Sequence, residues 1–470
     1  MSAPIVVGKP LPVSPMFMED ETARRFWRLS FRTDRQYACG QDAIGRSVLV
    51  KHEREEDQSY NRRLRVTKPR NYVGPIVRLF NDYVFRKAPS RADATSPLAE
   101  SLIVDCDGMG TTLDAFMRSA LLCAQVDRES YIMPESSGDA SDPVTVAQME
   151  ATGLRPILKR IPVESIVWRD VDGGTLEECI MVCHDDGQDV AYYYTEETVQ
   201  KLYLAKEGGG KALTVAGMDE PQAHGYPGCP VVMLRPLFDI LGDAGCGDSQ
   251  AGPIAEAQQA VFNLLSLLNE ESYNSCFTQF VATGVAADQV GQAMMGSNRL
   301  LCLPNPAAKF EAIGADPAQS EVIRKNIVDE IANLYRASGI ISVSPDSGSP
   351  ESGVALGMRF NQLSANLAAL TQAVAATEAR LWSLMAGAWG FDAPEPTQYH
   401  ADFDQPDMEK ELRTLILGIS SPSMPAEFKG KMAEVFAARN LKMDPDAIAS
   451  AVAALNQPKP DGFSPFPEGT

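Results

Sequence analysis

The sequence predicts an α+β chain, mainly helical, with one long helix and a β-rich subdomain set among shorter helices. Three stretches carry that prediction. From Glu351 to Trp389 the larger side chains Leu356, Phe360, Leu363, Leu367, Leu370, Val374, Leu381 and Leu384 recur at a 4-3-4-3 spacing, with Thr377 as the one polar lapse. That is the period of one packed helix face, whether core helix or coiled-coil seam. No proline interrupts residues 354–391, so a helix of roughly 30 residues and about 45 Å is expected at 1.5 Å per residue. From 130 to 236 short β-rich runs are separated by DVDGG, HDDGQ and EGGGK, turn signals at hairpin spacing. Asp316-Pro317, with Gln319 placed for a capping box, marks a helix start.

The first fifteen residues hold four prolines, which predicts an extended arm over 1–18 of the kind that packs on a neighbour. Glu19 to Tyr37 places acids first and bases later, with Phe26, Trp27 and Phe31 as apolar marks, and reads as a surface helix. Residues 71–87 put Ile76, Leu79, Phe80, Tyr83 and Val84 on one helical face ahead of Pro89, and another helix is expected at 111–127. Beyond the β-rich part, 253–275 returns to helix, with Ile254, Ala257, Val261, Leu264, Leu265 and Leu268 on one side. Residues 277–314 break into the strand-like pieces FTQFVATGV, RLLCLP and AKFEAIG around the short helical segment AADQVGQAMM. The helix from Pro317 closes near Ser338 at Gly339. Its apolar stripe is Ile323, Ile327, Ile331 and Leu334, and at 100° per residue Lys325, Asp329 and Arg336 point the opposite way. The Ser/Gly/Pro/Asp loop SVSPDSGSPESG leads into the long helix. After Trp389, short helices are expected at 407–418, 426–440 and 445–456, and the Pro-rich end at 458–470 is expected to be disordered.

A chain of 470 residues buries roughly three quarters of its unfolded surface and divides into two to four domains. It contains no apolar run of about 18 residues and no signal-peptide pattern at its N-terminus, so it is expected to be soluble and cytosolic where it is made. Nine cysteines without regular spacing read as reduced thiols and core fillers. A net charge of -20 opposes general nucleic-acid binding. Tyr60 to Arg91 runs against that balance, with nine basic residues against the single acid Asp82, a formal +8. A basic face that meets an acidic neighbour or a second subunit is favoured over nucleic-acid contact there, because Arg62 to Arg70 lacks aromatic alternation.

Chemical motifs are scarce. No GxxxxGK[ST], HExxH, GxSxG or CxxC occurs, and four histidines leave little material for acid-base catalysis. Cys179, Cys183 and His184 form one suggestive cluster, read as buried thiols rather than zinc ligands. Asp346-Ser347-Gly348 has no histidine near it in sequence and reads as loop rather than as a serine nucleophile. No cofactor is expected.

Helix, compact α/β unit, helix, Ser/Gly/Pro loop and long helix follow in an order that resembles the portal proteins of tailed bacteriophages. Local text agrees: YNRRLRVTKPRNYVGPIVRLFNDYVFRKAP is similar to the family's N-terminal stretch, IVDEIANLYRASGI to the end of its second stem helix, PESGVALGMRFNQLSANL to its loop-to-helix junction, and DFDQPDMEKELRTLILGISSPSM to the segment leading into its helical crown. The resemblance implies a portal fold of wing, stem, clip and crown, assembled as a dodecameric ring around a channel. Its parts would fall at 1–18 (arm), 19–247 (wing, helical over 19–129 and β-rich over 130–236), 248–276 (stem helix), 277–315 (clip), 316–339 (second stem helix), 340–353 (tunnel loop), 354–391 (long wing helix), 392–457 (wing end and crown) and 458–470 (tail).

Implied partners are a terminase that packages DNA through the channel, the major capsid and scaffolding proteins, a head-tail adaptor, and double-stranded DNA in passage; no membrane is involved. The implied place is the portal vertex of the virion, after assembly in the host cytoplasm, with no enzymatic activity. On this resemblance Lys325 and Arg336 form two rings of positive charge with Asp329 between them, in an acidic wall along which DNA slides. The tunnel loop, with Ser344, Asp346, Ser347, Gly348 and Glu351, carries no base and reads as a loose steric collar. Arg299 and Lys309 are the basic residues of the clip, where terminase would dock. Two rivals differ in class. A head-to-tail adaptor or other oligomeric virion scaffold is separated by ring symmetry and size; a metal-dependent enzyme using Cys179, Cys183 and His184 is separated by a metal assay.

Overall fold

A computed structural model describes residues 5–91, 94–138, 154–185, 187–206, 213–236, 249–276, 279–283, 309–313, 317–340 and 353–400, together with 416–417, 425 and 428–432. The chain divides into two compact units, Met1–Asp402 and Phe403–Thr470. In the second, residues 416–417 and 428–432 are helical; the rest of the helices expected at 407–418 and 426–440, the one at 445–456 and the tail lie outside the described residues.

The first unit opens with a non-helical segment over residues 5–14, with a turn at 7–8 where Gly8 takes a positive φ, then helix α1 (Pro15–Arg32). It starts earlier than Glu19 because Pro15 takes the first helical turn, where its missing N–H leaves nothing unsatisfied. The expectation of a surface helix is corrected: Phe26, Trp27, Arg24 and Ser30 are buried. Helices α3 (Val73–Val84), α5 (Leu113–Asp127) and α6 (Ala251–Cys276) surround α1. Gly74 permits the α1–α3 crossing, since a Cβ there would lie 2.7 Å from the Phe31 carbonyl oxygen. Helices α2 (Asp57–Val66) and α4 (Pro97–Val104) complete this part. On α3 the buried face is Val73, Ile76, Val77, Phe80 and Val84, while Leu79 is exposed. The face is rotated from the expected one because Asn81 turns inward, its amide donating to the Arg118 carbonyl at 3.0 Å and to Gln125 Oε1 at 3.3 Å.

Two antiparallel sheets follow. The first has the order β2 (Pro156–Ile161), β1 (Ser130–Ser136), β9 (Val232–Leu234). The second runs β3 (Ile166–Asp172), β4 (Thr175–Asp185), β5 (Gln188–Tyr194), β6 (Thr198–Lys206), β7 (Leu213–Met218), with β8 (Gln222–Ala223) also on β6. The turn signals at 173–174 and 187 lie between paired strands with glycines at positive φ; EGGGK lies outside the described residues, as does the run PVTVAQM. Strand alternation sends Cys179, Met181 and Tyr194 to one face, where they meet Tyr131, Met133 and Met233 of the smaller sheet. Ile180, Ala191, Leu202 and Val215 fill the other face, which the arm covers with Ile5 and Leu11. The arm pairs with its own β7: Gly8 N donates to Val215 O at 2.8 Å, Val215 N to Lys9 O at 3.0 Å and Leu11 N to Leu213 O at 2.8 Å. Packing on a neighbour was the expectation; residues 8–11 pair with β7 of the same chain.

Helix α6 leads to β10 (Gln279–Thr283), which pairs antiparallel with β11 (Lys309–Ile313), and α7 (Pro317–Ala337) packs along α6. Helix α8 (Gly353–Trp389) is 37 residues long and packs against α3, α5, β1 and β9. Its predicted stripe is buried from Leu367 onward, at Leu367, Leu370, Val374, Thr377, Leu381 and Leu384, while Leu363 is half-buried.

Candidate functional site

The α6–β10–β11–α7 assembly brings the predicted site residues into view. On α7, Ile327 and Leu334 are buried and Ile323 and Ile331 half-buried. Lys325, Asp329 and Arg336 are exposed on the opposite side, with Ala318 and Val322 at the same helical phase. Eleven residues separate the two cations, about 16 Å along the axis. Arg336 also lines a cleft of about 630 Å³ together with Trp27, Arg128, Glu256, Gly339 and Asn366. Arg324, which the stripe did not single out, is exposed and pairs with Glu321 at 3.2 Å. Lys309 is exposed at the first position of β11, opposite Thr283. Arg299, Ser344, Asp346, Ser347, Gly348 and Glu351 lie outside the described residues.

Helix α6 presents a polar face inward, which its apolar pattern did not disclose. Gln258 Oε1 accepts from Tyr72 N at 2.7 Å and Val73 N at 3.1 Å, and its amide donates to Ser30 O at 3.2 Å. Asn263 bonds Val48 O at 2.9 Å and accepts from Val50 N at 2.8 Å. Of the expected stripe, Ile254 and Val261 are buried, whereas Leu264, Leu265 and Leu268 are half-buried. Leu267 and Tyr273 of α6 and Val322 and Val328 of α7 remain exposed, so the helix pair carries apolar surface outward.

The base of this unit is tied by buried charge. Glu378, within α8, accepts from Arg91 Nε at 2.7 Å, Trp382 Nε1 at 3.1 Å, Thr397 Oγ1 at 2.6 Å and the Tyr399 hydroxyl. Burial works to raise its pKa, but the hydrogen bond and charge of Arg91, helped by Thr397 and Tyr399, hold it below the ordinary glutamate value. Arg91 also pairs with Asp114 at 2.7 Å. Arg28 makes a two-pronged pair with Asp127 at 2.7 and 2.8 Å. An acid in the apolar stripe, one position past Thr377, was the available sequence signal for Glu378.

The basic stretch 60–91 is not one face. Arg62 pairs with Glu270, Arg63 with Glu55 at 2.6 Å and with Ser266 at 3.1 Å, and Arg91 with Glu378. Arg65, Lys68, Arg70, Arg78, Arg86 and Lys87 stay exposed. The acidic neighbour expected for this stretch is thus partly supplied by the chain itself.

Cys179, Cys183 and His184 do not converge. Cys179 is buried and hydrogen-bonded to Cys229, a contact that pushes its thiol pKa up ahead of burial, so it is a neutral thiol. His184 follows Cys183 on β4 and so faces the other side of the sheet, where it meets Asp189 at 3.0 Å. Among the described residues no group of three or more His, Cys, Asp or Glu is placed to hold a metal ion, and no helix is long and apolar enough to cross a membrane.

No protein-family model and no curated protein sequence matches the chain. Its fold is similar to chains in solved structures of gene transfer agent (GTA) particles. One, from the virion of a native particle, matches at a TM-score of 0.47 and 13% identity, over 91% of this chain and 96% of that one. Another, from the neck of an empty particle computed with C6 symmetry, matches at 0.46 and 14%, over 77% and 90%. A third, from the neck of a native particle computed with C12 symmetry, matches at 0.43 and 12%, over 77% and 89%.

Proposed function

We propose that the chain is the subunit of a portal-type ring: copies surround a channel at one capsid vertex, through which a terminase motor drives double-stranded DNA and from which DNA later leaves toward the tail. The observation that carries this is the α6–α7 pair, joined through the β10–β11 ribbon and followed by a 37-residue helix. The sequence resemblance implies a stem, clip, second stem and wing helix in this order, and the arrangement supports that reading. Twelve copies, capsid and scaffolding contacts and a head-tail adaptor follow from the same reading, as does a place in the virion. The chain itself performs no catalysis in this role.

The surface chemistry supports it. Exposed Leu267, Tyr273, Val322 and Val328 give the helix pair apolar area that neighbouring copies would cover. On a chain of net charge -20, isolated Lys325 and Arg336 flanking Asp329 give passing phosphates brief attraction without a continuous basic track. The ribbon with exposed Lys309, together with Arg299, which precedes it in sequence, is the proposed terminase end. Residues 340–353, with Ser344, Asp346, Ser347, Gly348 and Glu351, form the proposed collar. Negative-stain imaging and native mass spectrometry of the purified chain, alone and with capsid and scaffolding proteins, test the proposal. Closed rings with a central opening are expected; a monomer under all of these conditions overturns it.

A further inference from the structure

Of the exposed bases of the basic stretch, Arg70 and Arg78 lie beside the end of α1, which carries two further arginines, Arg32 and Arg35. Asn71 donates to the Phe31 carbonyl at 3.0 Å, docking residues 70–71 on the end of α1. Arg78 of α3 lies over the Phe31 ring, 5.1 Å from its centroid. Arg32, in the last turn of α1, and Arg35 just beyond it are exposed, as are Arg70 and Arg78. None of these four forms an ion pair with a described residue. Asp34, exposed between Arg32 and Arg35 in sequence, offsets one of these charges, and the four arginines leave a net positive patch held by packed elements on a strongly acidic chain.

Its complement lies on the larger sheet. The β3–β4 turn and the β5–β6 turn bring Asp172, Glu177, Glu196 and Glu197 together beside a shallow cleft of about 330 Å³. Glu196 and Glu197 are exposed, and these four carboxylates have no cationic partner among the described residues. The Glu177 carboxyl is shifted up by desolvation and then by the neighbouring charges of Asp172, Glu196 and Asp170.

We infer that the Arg32–Arg70–Arg78 patch of one copy docks on the Glu177–Glu196–Glu197 cluster of the next, a head-to-tail contact between two different surfaces of the same chain. A contact between unlike patches propagates around a ring, whereas a two-fold contact would stop at a dimer. The inference rests on the ring reading above and names the surfaces that close it. Nucleic acid is the less suited occupant, because Phe31 is covered by Arg78 and offers no open ring for a base. Opposite potentials on the two patches also offset the self-repulsion of chains carrying -20 each.

The test uses two full-length charge-reversal variants, Arg32→Glu/Arg70→Glu/Arg78→Glu and Glu177→Lys/Glu196→Lys/Glu197→Lys, each checked for a wild-type thermal melt. Assembly is followed by native mass spectrometry and light scattering. Each variant alone is expected to lose at least about tenfold in assembled fraction at low salt, and an equimolar mixture of the two to recover assembly with alternating copies. Wild-type rings accompanied by unimpaired assembly of either variant, or a mixture that fails to recover, overturn the contact and leave the ring reading standing. A wild-type chain that is monomeric throughout overturns the ring reading and the contact with it. If the arginine variant assembles normally but loses retention of a short DNA duplex, the patch serves nucleic acid and the contact is wrong.

Discussion

Glu378 is the residue on which several elements converge. Its side chain is 1% exposed and that of Arg91 6%, so the pair has left water and is held by good geometry rather than by charge alone. Replacing Glu378 with Gln keeps its shape but leaves the buried Arg91 guanidinium with Asp114 alone, at a site where the acid is 40% exposed. A loss of about 3 kcal/mol is expected in urea unfolding near neutral pH. The pH dependence follows from the sign of the shift. The folded-state pKa is below the ordinary 4.5, so the carboxylate's contribution is complete above that value and is lost as pH falls through the folded-state value. The wild type and Glu378→Gln are therefore expected to converge in stability at the acid end. A gap that stays constant into acid would show that the charge is not what stabilises this site. No heptad count reveals the node, because Thr397, Tyr399 and Arg91 reach it from segments the pattern of α8 does not include.

Among the elements, those whose partners are their own periodicity were the legible ones. The stripe of α8 and the Ile327 and Leu334 line of α7 could be read because burial of a repeating face decides such helices. The β-rich region was legible from glycine turns between paired strands. Helix α6 was read less well: Gln258, Asn263 and Ser266 face inward to bond segments about 200 residues away in the chain, including Val48, Arg63 and Tyr72. Nothing local to α6 announces those partners. The arm is the other departure. Its prolines predicted an extended arm over 1–18, whereas residues 7–8 turn and 15–18 are helical, and the edge it occupies belongs to β7, which no feature near residue 10 identifies. Arm residues Lys9 and Leu11 satisfy that edge, and Leu11 is 5% exposed beside Val215. Leu11→Ala is expected to cost about 2–3 kcal/mol locally and to speed hydrogen exchange at the Val215 amide, which donates to Lys9 O. Unchanged protection of that amide would mean the arm does not guard the edge.

At the scale of the whole molecule, the proposed ring would use charge for two purposes, assembly and the passage of DNA. The net charge of -20 makes each copy repel both its neighbours and a DNA duplex, so a working ring needs cations placed for two distinct purposes. The Arg32–Arg70–Arg78 patch is assigned above to assembly. Lys325 and Arg336 stand apart from it on α7, away from the buried Ile327 and Leu334, and neither side chain is paired with a described residue. Substituting both with Glu therefore removes no packing and should leave the folded subunit and its rings unchanged in native mass spectrometry. In the proposed channel wall, Asp329 would then lie between two added carboxylates. Where twelve copies repeat each change in the proposed ring, a single substitution becomes a ring of like charge facing the duplex, felt within the screening length of about 8 Å in physiological salt. DNA packaging into particles, or retention of packaged DNA, is expected to fall, with partial recovery as ionic strength rises. Rings that assemble normally and package and retain DNA at the wild-type level across the salt range would remove α7 from the channel wall.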